Sequence, residues 1–210
     1  MMLNYNRQKN WTNNFGNQQS PIMINTHDLK PKKGNLAFKP KSHYVLIREV
    51  DELTTIKLTG RGKANIFGRP FDFKQVHFHS QSEHVIDGKP AAMEVHLVHE
   101  NKIGQLAVVA LMVNEGPANP EFQQIIDRFE SGMIDWVDFD ITNWVSSESK
   151  GFHYLGSLTT PPLQEGVEWI VINNTMLTVD GDQLNWFRSK FHKDYRALQP
   201  RNGRVIEWYK

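Results

Sequence analysis

Nine histidines are spread over the 210 residues of this chain, yet residues 75–84, "QVHFHSQSEH", hold three of them and an acid. On an extended strand alternate side chains share a face. Gln75, His77 and His79 therefore point one way, and Val76 and Phe78 the other. A second run, "MEVHLVHE" (93–100), puts Glu94, His96 and Val98 on one face by the same rule. If the two runs are neighbouring strands, three imidazoles converge with a glutamine and a glutamate behind them. Three neutral histidines around an open fourth position are the donor set of a catalytic zinc site. A metal-bound histidine gives its other N–H to a carboxylate or carbonyl, and Gln75 and Glu94 are placed to accept it. Spacing alone does not name the metal. "HFHSQSE" also fits H-x-H-x3-E, the first half of a cupin iron or manganese motif, although "AAME" ahead of the later histidine lacks that motif's Pro-x-Gly.

The elements that must hold these residues are mostly strands. "HYVLIREV" (43–50), "TTIKLTG" (54–60), "FDFKQVHFHS" (71–80), "MEVHLVHE" (93–100), "LAVVALMV" (106–113) and "VEWIVIN" (167–173) are β-branched or aromatic runs bounded by turn residues. Two helices are expected. Residues 119–131 have Asn119 as cap, Pro120 at the first helical position and Phe122, Ile125, Ile126 and Phe129 at helical spacing. Residues 180–191 have Asp180 as cap, with Leu184, Phe187 and Phe191 on one side. The first forty residues, rich in Asn, Gln, Pro and Lys, read as irregular. Many strands and few helices predict one mostly-β (α+β) domain, 1–210, built on a large sheet.

Composition removes several classes. With 24 Lys and Arg against 23 Asp and Glu, the net charge of +1 argues for no nucleic-acid partner. Lys30, Lys32, Lys33, Lys39 and Lys41 are broken up by prolines and read as a solvated loop face. There is no cysteine, which excludes disulfides, thiolate metal sites and thiol nucleophiles. No run approaches the roughly 20 apolar residues of a membrane span. "MMLNYNRQKNWTNNFG" lacks the apolar centre of a signal peptide. A cytoplasmic location is the expectation, and a periplasmic or secreted form with its leader removed fits the same residues. A lone buried histidine is commonly a hydrogen-bonded core residue. His27, His43, His153 and His192 stand alone and read as structural or surface residues.

Four segments, in order, resemble the α-class carbonic anhydrases: "QQSPIMI" (18–24), "KQVHFHSQSEHVIDGKPAAMEVHLVHEN" (74–101), "GSLTTPPLQEGVEWIVI" (156–172) and "YRALQPRNGR" (195–204). The resemblance implies a large twisted, mainly antiparallel central sheet with short peripheral helices. It implies one Zn2+ per chain on His77, His79 and His96, with Gln75 and Glu94 behind His77 and His96. Thr159 matches a hydroxyl that hands its proton to a buried glutamate, here Glu83. Val98, Val108, Leu158, Val167 and Trp169 match an apolar wall that holds CO2, with Thr160 beside it. Arg196 matches a structural arginine, and Ser20–Pro21 and Pro161–Pro162 match cis bonds. The activity implied is reversible hydration of CO2 to bicarbonate by a zinc-bound hydroxide, a lyase reaction, with weak ester hydrolysis as a side activity. The substrate is a small molecule, and a homodimer is compatible with the sequence.

The chain also departs from that pattern. Fast relatives export the product proton through a histidine in an "NGH" segment. Aligned on the following strand, that segment falls at Glu52, Leu53 and Thr54, and the usual histidine position is Thr54. Turnover is then expected to depend on small imidazole buffers unless another group, such as His27, or a water chain serves. Leu163 stands where extracellular relatives carry a cysteine, which favours an intracellular member. The chain is short for the family, so the cavity rim is expected to be open. Two rivals remain at this level. One is a non-catalytic relative that keeps the fold as a binding module. The other is a cupin-like iron or manganese enzyme.

Overall fold

The structure is a computed structural model that describes residues 3–210. In chain order its strands are β1 (Met23–Ile24), β2 (Pro31–Lys32), β3 (Phe38–Pro40), β4 (Val45–Asp51), β5 (Ile56–Arg61), β6 (Lys63–Ile66), β7 (Arg69–His79) and β8 (Val85–Ile86). They continue as β9 (Lys89–Pro90), β10 (Met93–Glu100), β11 (Leu106–Glu115), β12 (Ile134–Asp140), β13 (Gly151–Ser157), β14 (Glu165–Ile172), β15 (Thr178–Val179) and β16 (Glu207–Tyr209). Thirteen of them form one sheet: ten follow the path β12-β4-β5-β7-β10-β11-β14-β13-β16-β2, β6 joins β7 and carries β3, and β15 joins β11, while β1, β8 and β9 form a small second sheet. Most pairings are antiparallel. The joints β11–β14, β11–β15, β16–β2 and β1–β8 are parallel. Ser20–Pro21 and Pro161–Pro162 are cis, as is Ser80–Gln81.

Each face of the large sheet buries its own apolar cluster. One holds Phe73, Val76, Phe78, Val95, Leu97 and Val109, and the two helices α1 (Pro120–Arg128) and α2 (Gly181–Lys190) cover it with Phe122, Ile125, Leu184 and Phe187. The other holds Val108, Ala110, Phe152, Tyr154, Val167 and Trp169, packed with Ile24 of β1 and with Ile22 just before that strand. Asn119 caps α1 by accepting the Phe122 amide. Asp180 and Gln183 form a capping box on α2. The first helix stops at Arg128, three residues short of the expected end. Phe129 leaves the helical conformation and packs its ring 5.4 Å from Trp186 and 5.5 Å from Phe191.

Register places the functional face. β10 pairs with β7 so that His96 faces His77, Glu94 faces His79 and Val98 faces Gln75; the next residue, His99, faces Phe73. Lys74 is therefore an extra residue, a bulge in β7. It switches the alternation, so Phe71 and Phe73 before it and Val76 and Phe78 after it enter the same core. Gln75, His77 and His79 are left together on the opposite face, as the two-residue period requires.

Two longer strands of the large sheet, β12 and β13, lay outside the sequence reading. β12 alternates acids with its apolar residues, and acids are depleted in strands. It forms an edge of the sheet with Trp136 71% exposed. β13 carries Gly151 and Gly156, which weaken any strand signal. Edge strand β12 also puts Asp135 directly opposite Glu49 of β4. Burial, then the Asp135 carboxylate, pushes the Glu49 carboxyl up to about 7. Its Oε2 has no hydrogen-bond partner. A carboxyl raised in the folded state stabilises the fold fully below its unfolded value, and that stability falls as pH rises towards 7. Glu49→Gln is expected to gain roughly 1–3 kcal/mol at pH 8 and almost nothing at pH 4. Thermal unfolding at both pH values checks this, and equal gains would refute it.

Candidate metal centre

His77 and His79 come from β7 and His96 from β10, and three of their ring nitrogens lie within 4.8 Å of one another. The second nitrogen of each ring is engaged elsewhere. His77 Nδ1 lies 2.9 Å from Gln75 Oε1, His79 Nδ1 lies 2.6 Å from the Asp194 carbonyl, and His96 Nε2 lies 2.7 Å from Glu94 Oε1. Each of those acceptors fixes a tautomer and turns the remaining lone pair inward: His77 Nε2, His79 Nε2 and His96 Nδ1. Two of these face each other at 3.2 Å. Donors around a tetrahedral zinc, at 2.0–2.1 Å from the ion, sit about 3.3 Å apart. The third, His79 Nε2, is buried with no hydrogen-bond partner. A buried orphan of this kind is costly unless something binds it. The donor set and its spacing fit a zinc ion.

Charge favours neutral ligands at two positions. Burial, then repulsion from His96 and His79, holds the His77 imidazole well below its ordinary value. Burial lowers His96 as well. His79 runs the other way. Burial opposes its charge, but Glu83 and Asp194 beside it raise it. Burial in turn pushes the Asp194 carboxyl up to about 8.

Behind His96 runs a buried hydrogen-bonded chain. Glu94, with no exposure, accepts from His96 Nε2, from His84 Nδ1 at 2.6 Å and from the His84 backbone amide at 2.7 Å. Burial works against its charge, but the two imidazoles and their hydrogen bonds hold the carboxyl well below the usual range. His84 Nε2 lies 2.7 Å from the Tyr154 hydroxyl, which lies 2.8 Å from Ser20 Oγ. His84, Glu94 and His96 also cluster as three donors. With both His84 nitrogens engaged, they form a hydrogen-bonded chain and not a second metal site. Sequence reading gave His84 no role, although its place beside Glu83 in the histidine-rich run was a signal. Nor did it find the Asp194 carbonyl, for which no local signal exists.

The apolar residues named for the substrate wall share one cluster. Val108, Val167 and Trp169 are buried in the cluster on this face, with Val98 and Leu158 packed against it. The Trp169 ring sits edge-on to His96 at 5.0 Å and donates Nε1–H to the Ser157 carbonyl. Thr160, His77, His79 and Gln75 line a cavity of about 240 Å³ together with Leu3, Tyr5, Glu52, Thr54, Thr55 and Lys57. Thr54, where the resemblance expects a histidine, thus stands on the cavity wall. Lys57 Nζ is ion-paired with Glu52 there.

Thr159 and Glu83 are both buried, but the direct hydrogen bond between them is not formed. Glu83 Oε1 accepts the Arg196 amide at 2.7 Å. Its Oε2 is turned to His79 Nε2, 3.8 Å away, and has no hydrogen-bond partner. Arg196 itself is tied to Gln19 Oε1 and the Ser20 carbonyl, joining the C-terminal segment to the N-terminal one.

A family model described as eukaryotic-type carbonic anhydrase matches residues 6–210. Among curated proteins, a carbonic anhydrase of Pectobacterium carotovorum is 38% identical over 141 residues, which are 65% of this chain and 57% of that protein. The match thus spans under three fifths of that relative's length. A carbonic anhydrase of Nostoc sp. is 37% identical over 208 residues, 91% of this chain and 76% of that protein. Among solved structures, the α-carbonic anhydrase of Thermovibrio ammonificans in complex with the inhibitor sulfanilamide superposes with a TM-score of 0.84 at 32% identity, covering 93% of this chain and 88% of that one. No helix among the described residues is long and apolar enough to cross a membrane.

Proposed function

The chain belongs to the eukaryotic-type (α-class) carbonic anhydrase family, and from that premise we propose that it catalyses the reversible hydration of CO2 to bicarbonate and a proton at one zinc ion held by His77, His79 and His96. The observation that carries this reading is the set of three inward ring nitrogens whose opposite nitrogens are all engaged. When bound, zinc supplies the Lewis acidity that makes water a nucleophile near neutral pH, carbonic anhydrase being the standard instance of that effect.

The chain's own residues do the rest. Gln75, Glu94 and the Asp194 carbonyl hold the three imidazoles in their ligand tautomers. Glu94 brings a negative charge behind His96, which raises the basicity of that ring. The partnerless Glu83 Oε2 would accept a hydrogen bond from the Thr159 hydroxyl after a side-chain rotation, leaving the Thr159 oxygen to accept one from the attacking water. That water presents a lone pair to the carbon of CO2, and a ligand unable to donate to Thr159 is disfavoured. Val98, Val108, Leu158, Val167 and Trp169 offer an apolar substrate a surface that water does not contest, and Thr160 stands at its edge. The same nucleophile supports weak ester hydrolysis.

Metal analysis with stopped-flow CO2 hydration tests the reading. About one zinc per chain, with hydration lost on chelation and restored by zinc but not by iron or manganese, is the expected result. Activity with iron or manganese alone would favour the cupin-like chemistry. Bound zinc without hydration would favour a binding module.

A further inference from the structure

Hydration of CO2 yields one bicarbonate and one proton. The proton originates on the water nucleophile and must reach solvent before the next cycle. The wall of the metal-site cavity offers no free base for it. Glu52 is ion-paired with Lys57, and Thr54 and Thr55 do not titrate. Burial, then Glu83 and Asp194, raises the Tyr5 hydroxyl, so it keeps its proton.

A second cavity, of about 260 Å³, adjoins the first. Leu3, Tyr5 and Thr54 belong to both walls, and the far side is formed by Asn4, Asn6, Leu53, Lys190, His192 and Lys193. His192 follows α2 by two residues, is exposed, and its ring makes no hydrogen bond among the described residues. The titratable groups facing it are Tyr5, Lys190 and Lys193, with Glu52 and Lys57 beyond the shared wall. The remaining histidines outside the metal site are engaged or lie elsewhere. His43 pairs with Asp140, His84 is held between Glu94 and Tyr154, His99 is bonded to Tyr44, and His153 sits between Glu168 and Glu207. His27 lines neither cavity.

Resting on the proposed hydration reaction, we infer that His192 is the group that takes up the product proton across the wall formed by Leu3, Tyr5 and Thr54 and delivers it to solvent. Imidazole is the side chain whose charge changes between pH 5 and 8, so it accepts and releases a proton in the working range. In the step, an O–H bond of the nucleophilic water breaks and an N–H bond forms on the His192 ring, relayed by water filling the two cavities. Buffer then removes that proton, and no other atom is transferred.

The test compares zinc-loaded wild-type protein with His192→Ala and His27→Ala. At low buffer concentration His192→Ala should lose about tenfold or more in kcat. Its kcat/KM should hold within about twofold, because CO2 conversion itself precedes proton export. Added imidazole should restore kcat in His192→Ala, and His27→Ala should match the wild type. In cobalt-loaded protein the NMR signals of the His192 ring should show paramagnetic relaxation, a readout independent of turnover. An unchanged kcat in His192→Ala overturns the assignment. A kcat/KM that falls in step with kcat, or ring signals that ignore cobalt, does the same. Wild-type protein that binds zinc and hydrates no CO2 would instead remove the reading beneath it.

Discussion

Replacing His77 with alanine is expected to abolish zinc-dependent CO2 hydration in a protein that still folds. His77 is the half-buried member of the three, whereas His79 and His96 are each 1% exposed. Its partner for Nδ1, Gln75, is also half-buried and can turn to water when the imidazole is gone. No buried charge is orphaned, so the truncation costs little beyond the lost packing. Two donors then remain, and the metal loses both affinity and its fixed position. A fall in kcat/KM of at least about a thousandfold, roughly 4 kcal/mol in the barrier, is the expected size. Metal content, circular dichroism and stopped-flow hydration on one preparation check it. A folded variant that retains zinc and hydrates within tenfold of the parent would remove His77 from the ligand set.

Glu94→Ala should act in the opposite proportion, on the fold first. Glu94 is a fully buried carboxylate that receives three hydrogen bonds, from His96 Nε2, His84 Nδ1 and the His84 amide. Removing it leaves two buried imidazoles and a backbone N–H without an acceptor. Breaking a buried charged network from one side costs about 3–5 kcal/mol. The same loss frees the His96 ring to rotate and change tautomer, worth about 10–100-fold in metal affinity. Glu94→Gln separates the two effects. Its amide oxygen can still accept from one imidazole, so most of the stability should return, while the charge behind His96 does not. Denaturant unfolding and zinc competition titration measure each part. A Glu94→Ala protein as stable as the parent would show that the His84–Glu94–His96 chain carries no weight.

The three histidines could be read from the sequence because the strand period is local. Facing is set at i, i+2, so His77 with His79, Gln75 with His77 and Glu94 with His96 need no knowledge of the fold. The caps Asn119 and Asp180 were readable for the same reason, since each bonds an amide three residues on. The bulge at Lys74 was present as a break in apolar alternation between Phe73 and Val76, but only the register of β7 against β10 shows which residue is extra.

Other features depend on distant partners. The acceptor for His79 is a carbonyl 115 residues away, and Tyr154 reaches His84 across 70. Thr159 and Glu83 match the family pattern, but where the glutamate's second oxygen points is decided by the Arg196 amide on the first. His192 looks like any exposed histidine until α2 and the N-terminal turn at Tyr5–Asn10 place it on a cavity that shares a wall with the metal site. The sequence by itself determined the candidate donor set, the strands that carry it and the family. Tertiary structure alone decided the tautomers, the buried chain behind the site and the cavity that brings His192 beside it, because those depend on which remote backbone groups and side chains close around the histidines.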